Sequence, residues 1–480
     1  MTATLATQSD VFLYERVERR VRTMIEDGVL KPGDRVPSLR QMHRQSRVSI
    51  ATVSQAYLAL ERNGYVEARE KSGFYVRRRH DIAAALPRAP SQRGAPRRVQ
   101  VGDVVESVIS ASHRPGVVSL GVANPSAELL PVKALTRAMG RVAARRTLAS
   151  VRYSLPEGMG ELRRQIAYRS REFGCQFAPD ELMVTSGATE GLATALQVVA
   201  RSGDAVAVES PCYFQILRLI ESLGMLAVEV RTDPDTGLDL NALQRNLGKL
   251  DIKAVIAVPN FHNPLGALMP DANKRALVEL LAERRIPLIE DDVYGDLHFT
   301  GQRPWVAKAF DRTGNVILCS SFSKTLAPGY RVGWMAPGRF AKQVGMLKSA
   351  LSGTTASLTQ LAVSEFLSTG AYDRSMRRMR RTYAEQVAQV RHAIARYFPA
   401  GTRITNPAGG FVLWVELPDG IDGEQLFHAA LERGVSITPG SVFSTTAHFG
   451  GYVRISAGLP WNERVEQAIA TVGELAHAMG

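Results

Sequence analysis

The sequence predicts an α/β protein with a mostly parallel sheet, preceded by a small helical module that ends in a hairpin. From about residue 115, short apolar runs such as 205–208 and 254–258 alternate with segments of helical period such as 272–283. This alternation is typical of a parallel sheet covered by helices, whose functional sites lie at the strand ends. The first 80 residues lack it and show three helical segments followed by two short β-type runs. We therefore expect two domains of different fold.

The composition is that of an ordinary folded protein with an uneven charge. The chain has 480 residues, of which 45% are hydrophobic, and a formal net charge of +13, so it is long enough for two or more domains. The first 100 residues hold 19 Lys and Arg against 10 Asp and Glu. A basic N-terminal module is what nucleic-acid binding requires, although a merely soluble basic surface would have the same charge.

Neither a signal peptide nor a membrane-spanning run is apparent, so we expect a cytoplasmic protein with no membrane partner. The three cysteines, Cys175, Cys212 and Cys319, are odd in number and widely separated. They form neither a disulfide framework nor a zinc pattern. We expect buried thiols and no metal site.

The N-terminal module begins with three predicted helices. Val17 and Val21 recur at helical spacing and would lie on the buried face of the first helix. Gly28 follows this face as a natural left-handed cap. Ser38 and Ser49 are each placed to cap a further helix.

Two short β-type runs, 65–69 and 74–79, complete the module and are joined by a turn at 70–73. Three helices followed by a hairpin predict that residues 10–79 form a winged helix-turn-helix, whose third helix enters the major groove of DNA from its N-terminus. A helical dimerisation module is the alternative, and the wing and the charge argue against it. The predicted DNA contacts are Ser49, Ile50, Ala51, Thr52, Ser54 and Gln55 toward the bases, Arg35 and Arg40 toward phosphates, and Lys71 and Ser72 at the tip of the wing.

Two stretches of this module resemble the signature of GntR-family DNA-binding domains. They are LKPGDRVPSLR at 30–40 and VSIATVSQAY at 48–57, and the resemblance covers about the first 80 residues. One departure is Ile50, where the family often has an arginine or another polar residue. Base readout there would be an apolar contact, for example with a thymine methyl group.

Residues 80–114 are expected to link the module to the larger domain. From His80 to about Val101 the chain is rich in Ala, Pro, Arg, Ser and Gly and shows no lasting apolar period. Such a composition predicts a flexible, basic tether of roughly 20–30 residues, long enough for one domain to reach a neighbouring subunit.

The most informative stretch of the larger domain is SSFSKTLAPGYRVGW at 320–334. Lys324 follows an apolar run, and a lysine buried beside a strand end loses its favoured charged form and becomes an amine nucleophile. Ser321, Ser323 and Arg331 can hold a phosphate close by. The combination suggests an imine to an aldehyde phosphate cofactor. A surface loop with a solvated lysine is the alternative, and it explains neither the strand before Lys324 nor the motif after it.

Other polar motifs also follow predicted strands. Residues 185–190 open a helix, and the backbone amides there suit a phosphate as well as they suit an ordinary helix cap. Tyr213 is placed to lay its ring over a planar cofactor. Asn263 is placed to donate to a phenolate-type oxygen, and the neighbouring His262 is expected to be structural.

Asp291 and Asp292 end another predicted strand, after the apolar run at 287–289. One of them would keep a pyridine nitrogen protonated, because a buried carboxylate favours the charged form of its partner. The two acids alone leave the choice between them open.

In this order, the motifs resemble those of fold-type I pyridoxal-phosphate enzymes of the aspartate aminotransferase group. The resemblance runs over residues 115–480 and implies pyridoxal 5'-phosphate as the cofactor and a smaller C-terminal α+β subdomain. The spacing to Tyr294 favours Asp291 over Asp292. The resemblance implies that Lys324 forms the imine, that Asp291 contacts the pyridine nitrogen, that Tyr294 and Asn263 bind the ring hydroxyl oxygen and that Tyr213 stacks on the ring. It implies a phosphate site made of Ser321, Ser323, Arg331 and the amides of Ala188 and Thr189, with Tyr153 contacting the phosphate of the neighbouring subunit. Arg454 is implied to bind the α-carboxylate of an amino acid.

A GntR-type winged helix joined to an aminotransferase-like domain resembles the architecture of MocR-type transcriptional regulators. This implies a domain-swapped homodimer that binds operator DNA and responds to pyridoxal phosphate or to a small amino acid or amine. Two alternatives stay open at this point. One is a working aminotransferase that carries a DNA-binding domain, since every residue for imine exchange is present. The other is a non-catalytic sensor of pyridoxal phosphate itself.

Overall fold

A computed structural model of the chain describes residues 13–31, 33–62, 65–69, 72–76, 84–90, 94–100, 102–299 and 301–480. The chain divides into two compact units, Met1–Ala83 and Ala84–Gly480. Within these described ranges, no helix is long and apolar enough to cross a membrane. All three cysteines are buried and free of disulfide bonds, as the sequence predicts.

The N-terminal unit folds as three helices and a hairpin, which confirms the predicted architecture. Its elements are α1 Leu13–Glu26, α2 Leu39–Ser46, α3 Ile50–Arg62, β1 Val66–Arg69 and β2 Gly73–Val76. The two strands are antiparallel, with Val66 opposite Val76. Tyr75 also forms a β-bridge with Arg35, so the segment before α2 is tied to the wing.

Serine caps and one glycine define the ends of these helices. Ser38 Oγ accepts the N–H of Gln41 at 3.2 Å, and Ser49 Oγ accepts the N–H of Thr52 at 3.0 Å. Both bonds satisfy amides that have no acceptor inside the helix. Gly28 follows α1 with a φ of +73°, in the left-handed region where glycine is favoured.

The core of this unit lies where the three helices and the hairpin meet. Tyr57 of α3 is fully buried, and its hydroxyl group donates to the carbonyl oxygen of Pro37 at 2.6 Å. Because the apolar positions of α1 and α3 face inward, the polar start of α3 is left on the surface. The buried apolar side chains are Val17, Val21, Val36, Met42, Val53, Ala56, Leu60, Val66 and Val76.

The C-terminal unit contains a large α/β body and a smaller α+β subdomain. Its helices are α4 Val104–Ala111, α5 Val132–Arg145, α6 Thr147–Val151, α7 Gly160–Arg169, α8 Ala188–Val199, α9 Phe214–Ser222, α10 Leu240–Leu247, α11 Asp271–Glu283, α12 Ala341–Leu351, α13 Ser357–Ser368, α14 Ala371–Tyr397, α15 Gly423–Glu432 and α16 Glu463–Met479. Its strands are β3 Arg97–Arg98, β4 Val118–Ser119, β5 Met183–Thr185, β6 Ala205–Ser210, β7 Leu226–Asp233, β8 Gly237–Leu238, β9 Ile252–Ala257, β10 Leu288–Asp291, β11 Val316–Ser321, β12 Gly333–Ala336, β13 Arg403–Ile404, β14 Val412–Glu416, β15 Val435–Ser436, β16 Thr438–Pro439 and β17 Tyr452–Ser456.

Nine of the described strands form the sheet of the body, in the order β3, β7, β6, β9, β10, β11, β12, β5, with β8 paired to β7. The central strands β7, β6, β9, β10 and β11 are parallel, and β12 is antiparallel to both neighbours. Alternate residues of β6 join different cores: Val206 and Val208 pack with α8 and α9, whereas Ala205 and Ala207 pack with α10 and α11. This confirms the mostly parallel sheet covered by helices, and it brings the carboxyl ends of β6, β10 and β11 to one edge.

The subdomain is built on a four-stranded antiparallel sheet in the order β13, β14, β17, β16. Trp414 of β14 is fully buried and stacks on Tyr452 of β17, with ring centroids 5.5 Å apart. Strand β4 pairs in parallel with β15, and the N–H of Leu120 donates to the carbonyl oxygen of Ser436 at 2.8 Å. The segment 121–124, which follows β4, therefore runs along the subdomain toward the carboxyl edge of the large sheet.

Residues 80–114 differ from the expected flexible tether. Of the described residues in this range, 84–90 and 94–100 lie on the C-terminal unit, and α4 is a regular helix. Strand β3 pairs with β7 at the edge of the large sheet. The interval between the two folded units is therefore shorter than the composition suggests.

Segment 84–90 is held on the C-terminal unit by backbone hydrogen bonds and one ion pair. Both the backbone N–H and the Nε of Arg88 donate to the buried carboxylate of Glu416. The Tyr452 hydroxyl donates to the carbonyl oxygen of Arg88 at 3.2 Å. The N–H of Ile404 donates to the carbonyl oxygen of Ala85, also at 3.2 Å. Such contacts need no apolar period, which is why the sequence pattern did not indicate them.

Candidate functional site

Lys324 lies in the turn after β11, at the carboxyl edge of the sheet. Its Nζ donates to the carbonyl oxygen of Ala123 at 2.6 Å and lies 3.4 Å from Oδ1 of Asn124. Burial and the nearby guanidinium of Arg454 lower the pKa of Lys324 to about 8, and the carboxyl group of Asp291 opposes this shift. With this pKa, about a tenth of the amine is neutral at pH 7. Lys324 is therefore a usable nucleophile near neutral pH.

A polar cradle lies at the start of α8. Gly187 precedes the helix with a φ of +85°, and a Cβ atom there would lie 2.4 Å from Nη2 of Arg331. Arg331 donates to the carbonyl oxygen of Ser186 at 3.1 Å, and its Nη1 reaches Oγ of Ser323 at 3.4 Å. The hydroxyl oxygens of Ser321 and Ser323 lie 2.8 Å apart. A guanidinium, two hydroxyl groups and a helix N-terminus thus surround one small space, which suits a phosphate.

The first two residues of α8, Ala188 and Thr189, carry N–H groups at the end of the helix where no acceptor is available within it. Glu190 supports this turn from behind by accepting the N–H of Ser186 and the hydroxyl of Ser352. Glu190 was not among the predicted residues. Its position three residues after Gly187, in the first turn of a helix, was the available signal.

Asp291 and Asp292 end β10 and differ in their partners. Oδ1 of Asp292 accepts Nδ2 of Asn260 at 2.8 Å, and its Oδ2 pairs with Arg303. Oδ1 of Asp291 is buried and has no hydrogen-bond partner among the described residues. Burial and the charge of Asp292 raise the pKa of Asp291 to about 7, against the effect of Lys324. Asp291 is therefore the carboxyl group left open to a ligand.

Arg454 of β17 is buried and engaged. Its Nη1 donates to Oδ1 of Asn263 at 2.8 Å, and its Nη2 donates to the carbonyl oxygen of Gly121 and to Oγ1 of Thr438, the latter at 3.3 Å. Its Nε is buried and has no partner in the described part of the chain. The guanidinium predicted to grip a carboxylate holds protein oxygens instead, so a ligand carboxylate must replace some of them.

The rings of Tyr213 and Tyr294 belong to the same cluster. Burial raises the pKa of both hydroxyl groups, and the charges of Arg454 and Asp291 act on both. Tyr294 is buried and packs edge-on against Phe411, with ring centroids 5.6 Å apart. Both phenols therefore stay protonated at neutral pH and can act as hydrogen-bond donors.

The segment 121–124 was missed by the sequence reasoning. Its carbonyl oxygens hold both Arg454 and Lys324, and contacts to backbone carbonyls carry no residue-type signature. One signal was available at Gly121, where a Cβ atom would lie 2.8 Å from the carbonyl oxygen of Ile437. A glycine directly after a short apolar run, here the run at 117–120, marks such a close approach.

Tyr153 is placed apart from this cluster, on the surface of the loop after α6. Its ring is 95% exposed, and Val151 and Leu155 beside it are 77% and 66% exposed. With Leu148, which is 64% exposed, they form an apolar patch. His262 accepts the N–H of Leu265 at 3.3 Å, in keeping with a structural role.

The predicted DNA-facing residues of α3 lie at its exposed start. Ile50 is 45% exposed, Gln55 is exposed, and Thr52 and Ser54 are half-buried. Ser49 is exposed, but its hydroxyl oxygen already caps the helix and lies 2.8 Å from Oγ1 of Thr52. Base contacts from Ser49 would therefore compete with its capping bond.

The predicted phosphate contacts Arg35 and Arg40 are both exposed. Ser72, at the tip of the wing, lies with its Oγ 2.6 Å from the hydroxyl oxygen of Tyr75. Lys71 lies outside the described residues. Exposed cations beside the capped start of α3 are the arrangement that backbone-positioning contacts need.

Two known families match the chain, one for each unit. Residues 13–76 match the bacterial regulatory proteins of the gntR family, and residues 115–472 match the aminotransferases of class I and II. The uncharacterized HTH-type transcriptional regulator YdcR of Escherichia coli K12 is 40% identical over 462 residues, which cover 96% of this chain and 98% of YdcR. The chain belongs to the MocR-type regulator family.

Further relatives agree with this MocR-type assignment. The uncharacterized HTH-type transcriptional regulator YjiR of Escherichia coli K12 is 36% identical, over 96% of this chain and 98% of YjiR. Among solved structures, LysN, an alpha-aminoadipate aminotransferase of Thermus thermophilus complexed with N-(5'-phosphopyridoxyl)-L-leucine, superposes with a TM-score of 0.71 and 29% identity. This match covers 80% of the MocR-type chain and 95% of LysN.

The body of this MocR-type chain has the fold of class I aminotransferases, and its cofactor is pyridoxal 5'-phosphate. The residues present fit that group. Asp291 offers a buried oxygen with no partner among the described residues for a pyridine nitrogen, and the missing side chain at Gly187 lets the Arg331 guanidinium reach the start of α8, where a phosphate would lie. Lys324 offers an amine that is partly neutral near pH 7.

Proposed function

We propose that this protein is a transcriptional regulator that binds an operator through its N-terminal unit and senses an amino acid or amine through pyridoxal phosphate in its C-terminal unit. The observation that carries the proposal is that one chain combines a GntR-type unit with an aminotransferase-type unit in which Lys324, Asp291 and the cradle at Gly187 lie at the strand and helix ends. An enzyme alone needs no DNA-binding unit, and a plain DNA-binding protein needs no lysine of lowered pKa at a strand end.

Pyridoxal phosphate, when bound, supplies an aldehyde that bonds covalently to amines and a pyridine ring that takes up electrons. In this proposal, Lys324 contributes the amine and Asp291 keeps the pyridine nitrogen protonated through its open oxygen. Asn263 and Tyr294 hydrogen-bond the ring hydroxyl oxygen, and Tyr213 covers the face of the ring. Burial of these groups in a water-poor site strengthens each of these interactions.

The phosphate is held by the cradle at the start of α8. Arg331 supplies a charge that persists at all relevant pH values. Ser321 and Ser323 donate hydroxyl groups, and Ala188 and Thr189 donate backbone N–H groups. The helix dipole of α8 adds a favourable partial charge.

An effector changes the protein by exchanging contacts at Lys324 and Arg454. On binding of an amino acid, Lys324 is released, and Arg454 gives up Asn263 and Gly121 for the ligand carboxylate, which it can hold through two parallel bonds. Asn263 follows β9 of the large sheet and Arg454 lies in β17 of the subdomain, so this exchange alters how the two parts are held together. A ligand shifts DNA binding only if it binds one conformation better than another, and the exchanged contacts provide that difference.

We also infer that the protein acts as a homodimer. The apolar patch of Leu148, Val151, Tyr153 and Leu155 is a surface that a second copy would cover. Tyr153 would then reach the phosphate site of the partner subunit, as the family resemblance implies. A two-fold dimer presents two DNA-binding units, which matches an operator of two half-sites.

The test is a selection of genomic DNA fragments by the purified, cofactor-loaded protein at near-physiological salt. Enrichment of one or a few discrete sites is the expected result, and the Arg40→Ala variant should retain less DNA of every sequence. Retention of all fragments alike, with strong sensitivity to salt, would overturn the proposal, because it would reduce the N-terminal unit to a non-specific basic surface.

An active aminotransferase is the second candidate, favoured by the lowered pKa of Lys324 and its closeness to Asp291. A lysine that titrates near neutral pH can move protons as well as bind an aldehyde. Incubation with an L-amino acid and a 2-oxo acid tests it: release of many product molecules per protein supports turnover. If cofactor alone changes DNA affinity and no amino acid does, the protein is a sensor of pyridoxal phosphate itself.

A further inference from the structure

A basic groove lies between the start of α5 and the start of α14, outside the residues of the cofactor site. It has a volume of about 580 Å³ and is lined by four cationic side chains, Lys133, Arg137, Arg374 and Arg378, against a single acidic one, Glu128. None of the roles assigned above uses these residues. The groove therefore needs an explanation of its own.

The four cations are not neutralised by the protein. All four are exposed, and within the described part of the chain none of them forms an ion pair. Their polar contacts there are to backbone carbonyl oxygens: Arg137 Nε donates to Lys133 at 3.3 Å, and Arg378 Nη2 donates to Leu129 at 3.2 Å. Such bonds orient a guanidinium without cancelling its charge.

Charged neighbours of the groove do form ion pairs. Arg141 of α5 pairs with Glu365 at 3.0 Å, and Asp373 of α14, the residue next to Arg374, pairs with Arg169 of α7. Acids are therefore available around the groove but are used elsewhere.

The spacing of the cations along α14 gives a continuous row. Arg374, Arg377 and Arg378 are exposed on one face, one turn apart, while Met376 and Met379 are buried on the other. Of these three, Arg374 and Arg378 line the groove and are four residues apart, roughly 6 Å along the helix axis. The direction of the row is fixed because the buried face holds the helix in place.

This row is unfavourable for the isolated fold. Lys133 and Arg137 are four residues apart, as are Arg374 and Arg378, and like charges at that spacing destabilise a helix. A polyanion in the groove would remove this repulsion.

We propose that this groove binds the phosphate backbone of double-stranded DNA, as a second contact surface in addition to the winged helix. The inference rests on the proposed regulator function, because the GntR-type unit brings DNA to the same molecule. Arginine and lysine side chains contact phosphates without reading bases, so the groove adds affinity and registers position but adds no sequence preference. Each phosphate neutralised releases condensed counterions and steepens the salt dependence of binding.

The test compares two double variants of the full-length, cofactor-loaded protein. Arg374→Gln with Arg378→Gln removes two groove charges and keeps helix-forming side chains. Arg312→Gln with Arg433→Gln removes two exposed charges elsewhere on the same unit and serves as the matched control. Binding to a duplex of about 60 base pairs of arbitrary sequence is measured by fluorescence anisotropy at several salt concentrations.

The groove variant is expected to reduce the slope of log K against log salt by about two and to weaken binding about tenfold at the lowest salt, with the control unchanged. If the groove variant behaves as the control while Arg40→Ala reduces the slope, the groove proposal is wrong and the regulator function is unaffected. If neither variant changes the slope, the groove proposal is wrong and Arg40 is not a phosphate contact, and the selection of genomic fragments decides the regulator function separately.

Light scattering on the same variants separates DNA from a protein partner. A change of oligomeric mass in Arg374→Gln with Arg378→Gln would identify the groove as a contact between copies of this chain and would overturn the proposal. An unchanged mass with a reduced salt slope supports it. An arbitrary duplex is sufficient for this comparison because phosphate contacts are independent of sequence.

Discussion

At Gly187 the absence of a side chain lets the guanidinium of Arg331 lie against the phosphate cradle. A methyl group there would lie 2.4 Å from Nη2 of Arg331, a guanidinium that the serines and the start of α8 hold in place. Gly187 is thus required for two reasons: its φ is positive, and the guanidinium of Arg331 approaches it closely. Alanine substitution at Gly187, compared with the same substitution at a glycine that has a positive φ but no close neighbour, separates the two reasons.

Gly187→Ala should weaken cofactor binding by at least about tenfold, because the new Cβ atom displaces Arg331 from the cradle. Gly203→Ala is the matched control, since Gly203 has a φ of +90° and a methyl group there would meet no atom within 4 Å. Both variants should lose unfolding free energy from backbone strain, on the order of 1–3 kcal/mol at Gly187, whose ψ of 171° lies in a region that is essentially restricted to glycine. Titration with pyridoxal phosphate, followed by visible absorbance, measures the affinity; equal affinities of the two variants would contradict the cradle.

Asp291→Asn should make the cofactor-free protein more stable relative to the wild type as pH rises. The folded-state pKa of Asp291, about 7, lies above its ordinary value of 3.8. The contribution of this carboxyl group to stability is therefore fully present below about pH 4 and is lost as pH rises through 7. Asparagine stays neutral, so the variant should gain unfolding free energy over the wild type at pH 8 relative to pH 5.5.

Urea unfolding of the cofactor-free proteins at the two pH values measures this difference. Asp251→Asn, at an exposed position, is the control and should show no such trend. The same Asp291→Asn variant should bind pyridoxal phosphate more weakly, because a neutral amide holds a pyridinium less well than a carboxylate does. If the difference in unfolding free energy between Asp291→Asn and the wild type is the same at both pH values, the pKa of Asp291 is not raised in the folded protein.

The rate of covalent cofactor attachment should follow the titration of Lys324. Because its pKa is lowered to about 8, the neutral fraction rises about tenfold per pH unit up to that point and then levels off. A rate that continues to rise toward pH 10 would mean an unperturbed lysine. Lys324→Ala should show no visible absorbance of attached cofactor at any pH while its far-UV circular dichroism stays unchanged, and Lys253→Ala should behave as the wild type.

Among the elements, segment 84–90 differs most from what the composition predicts, because it was expected to be a flexible linker and instead lies on the C-terminal unit. Segment 84–90 lies along the subdomain through Ala85 and Arg88, and the next residue, Ala89, accepts the Nε of Arg231 of β7 at 3.2 Å. The segment therefore contacts both parts of the C-terminal unit. Any change in how the subdomain sits on the sheet is felt by this segment.

Arg88→Ala should loosen this segment while leaving the body folded. The change removes the ion pair with Glu416, so the N–H of Ile404, which donates to Ala85, should lose about tenfold in protection from hydrogen exchange. Arg312→Ala, at an exposed position without an ion pair in the described residues, is the control. Unchanged protection of Ile404 would mean that the backbone bonds alone hold the segment.

At the scale of the whole molecule, ligand and DNA binding should be coupled reciprocally. If an L-amino acid from a panel of the common ones changes DNA affinity by some factor, DNA must change the affinity for that amino acid by the same factor. Arg454→Gln should abolish this coupling and shift the DNA affinity of the ligand-free protein toward that of the liganded wild type, because the variant lacks the bonds to Asn263 and Gly121 that the ligand would otherwise break. Coupling that survives in Arg454→Gln would assign the sensing to another residue.

The sequence predicts the molecule well where function follows regular structure. The three helices and hairpin, the strands before Lys324 and Asp291, and the subdomain around Arg454 are all anticipated, because each has an apolar pattern and a polar residue at its end. The roles proposed for the site residues stay predictions. The docking of Arg88, the carbonyl contacts of segment 121–124 and the engagement of Arg454 with Asn263 were not anticipated, because they join residues far apart in sequence through groups that every residue type carries.

The short strand β3 has a consequence for any shortened form of the protein. Arg97 and Arg98 pair with Ala227 and Leu226 at one end of β7, and Val99 is buried beside them. An uncovered edge strand is a template for pairing with another chain. A chain that begins at α4 would expose this edge and should tend to aggregate, whereas one that begins at Ala84 should stay monodisperse. The segment that connects the two units thus also shields the sheet from self-association.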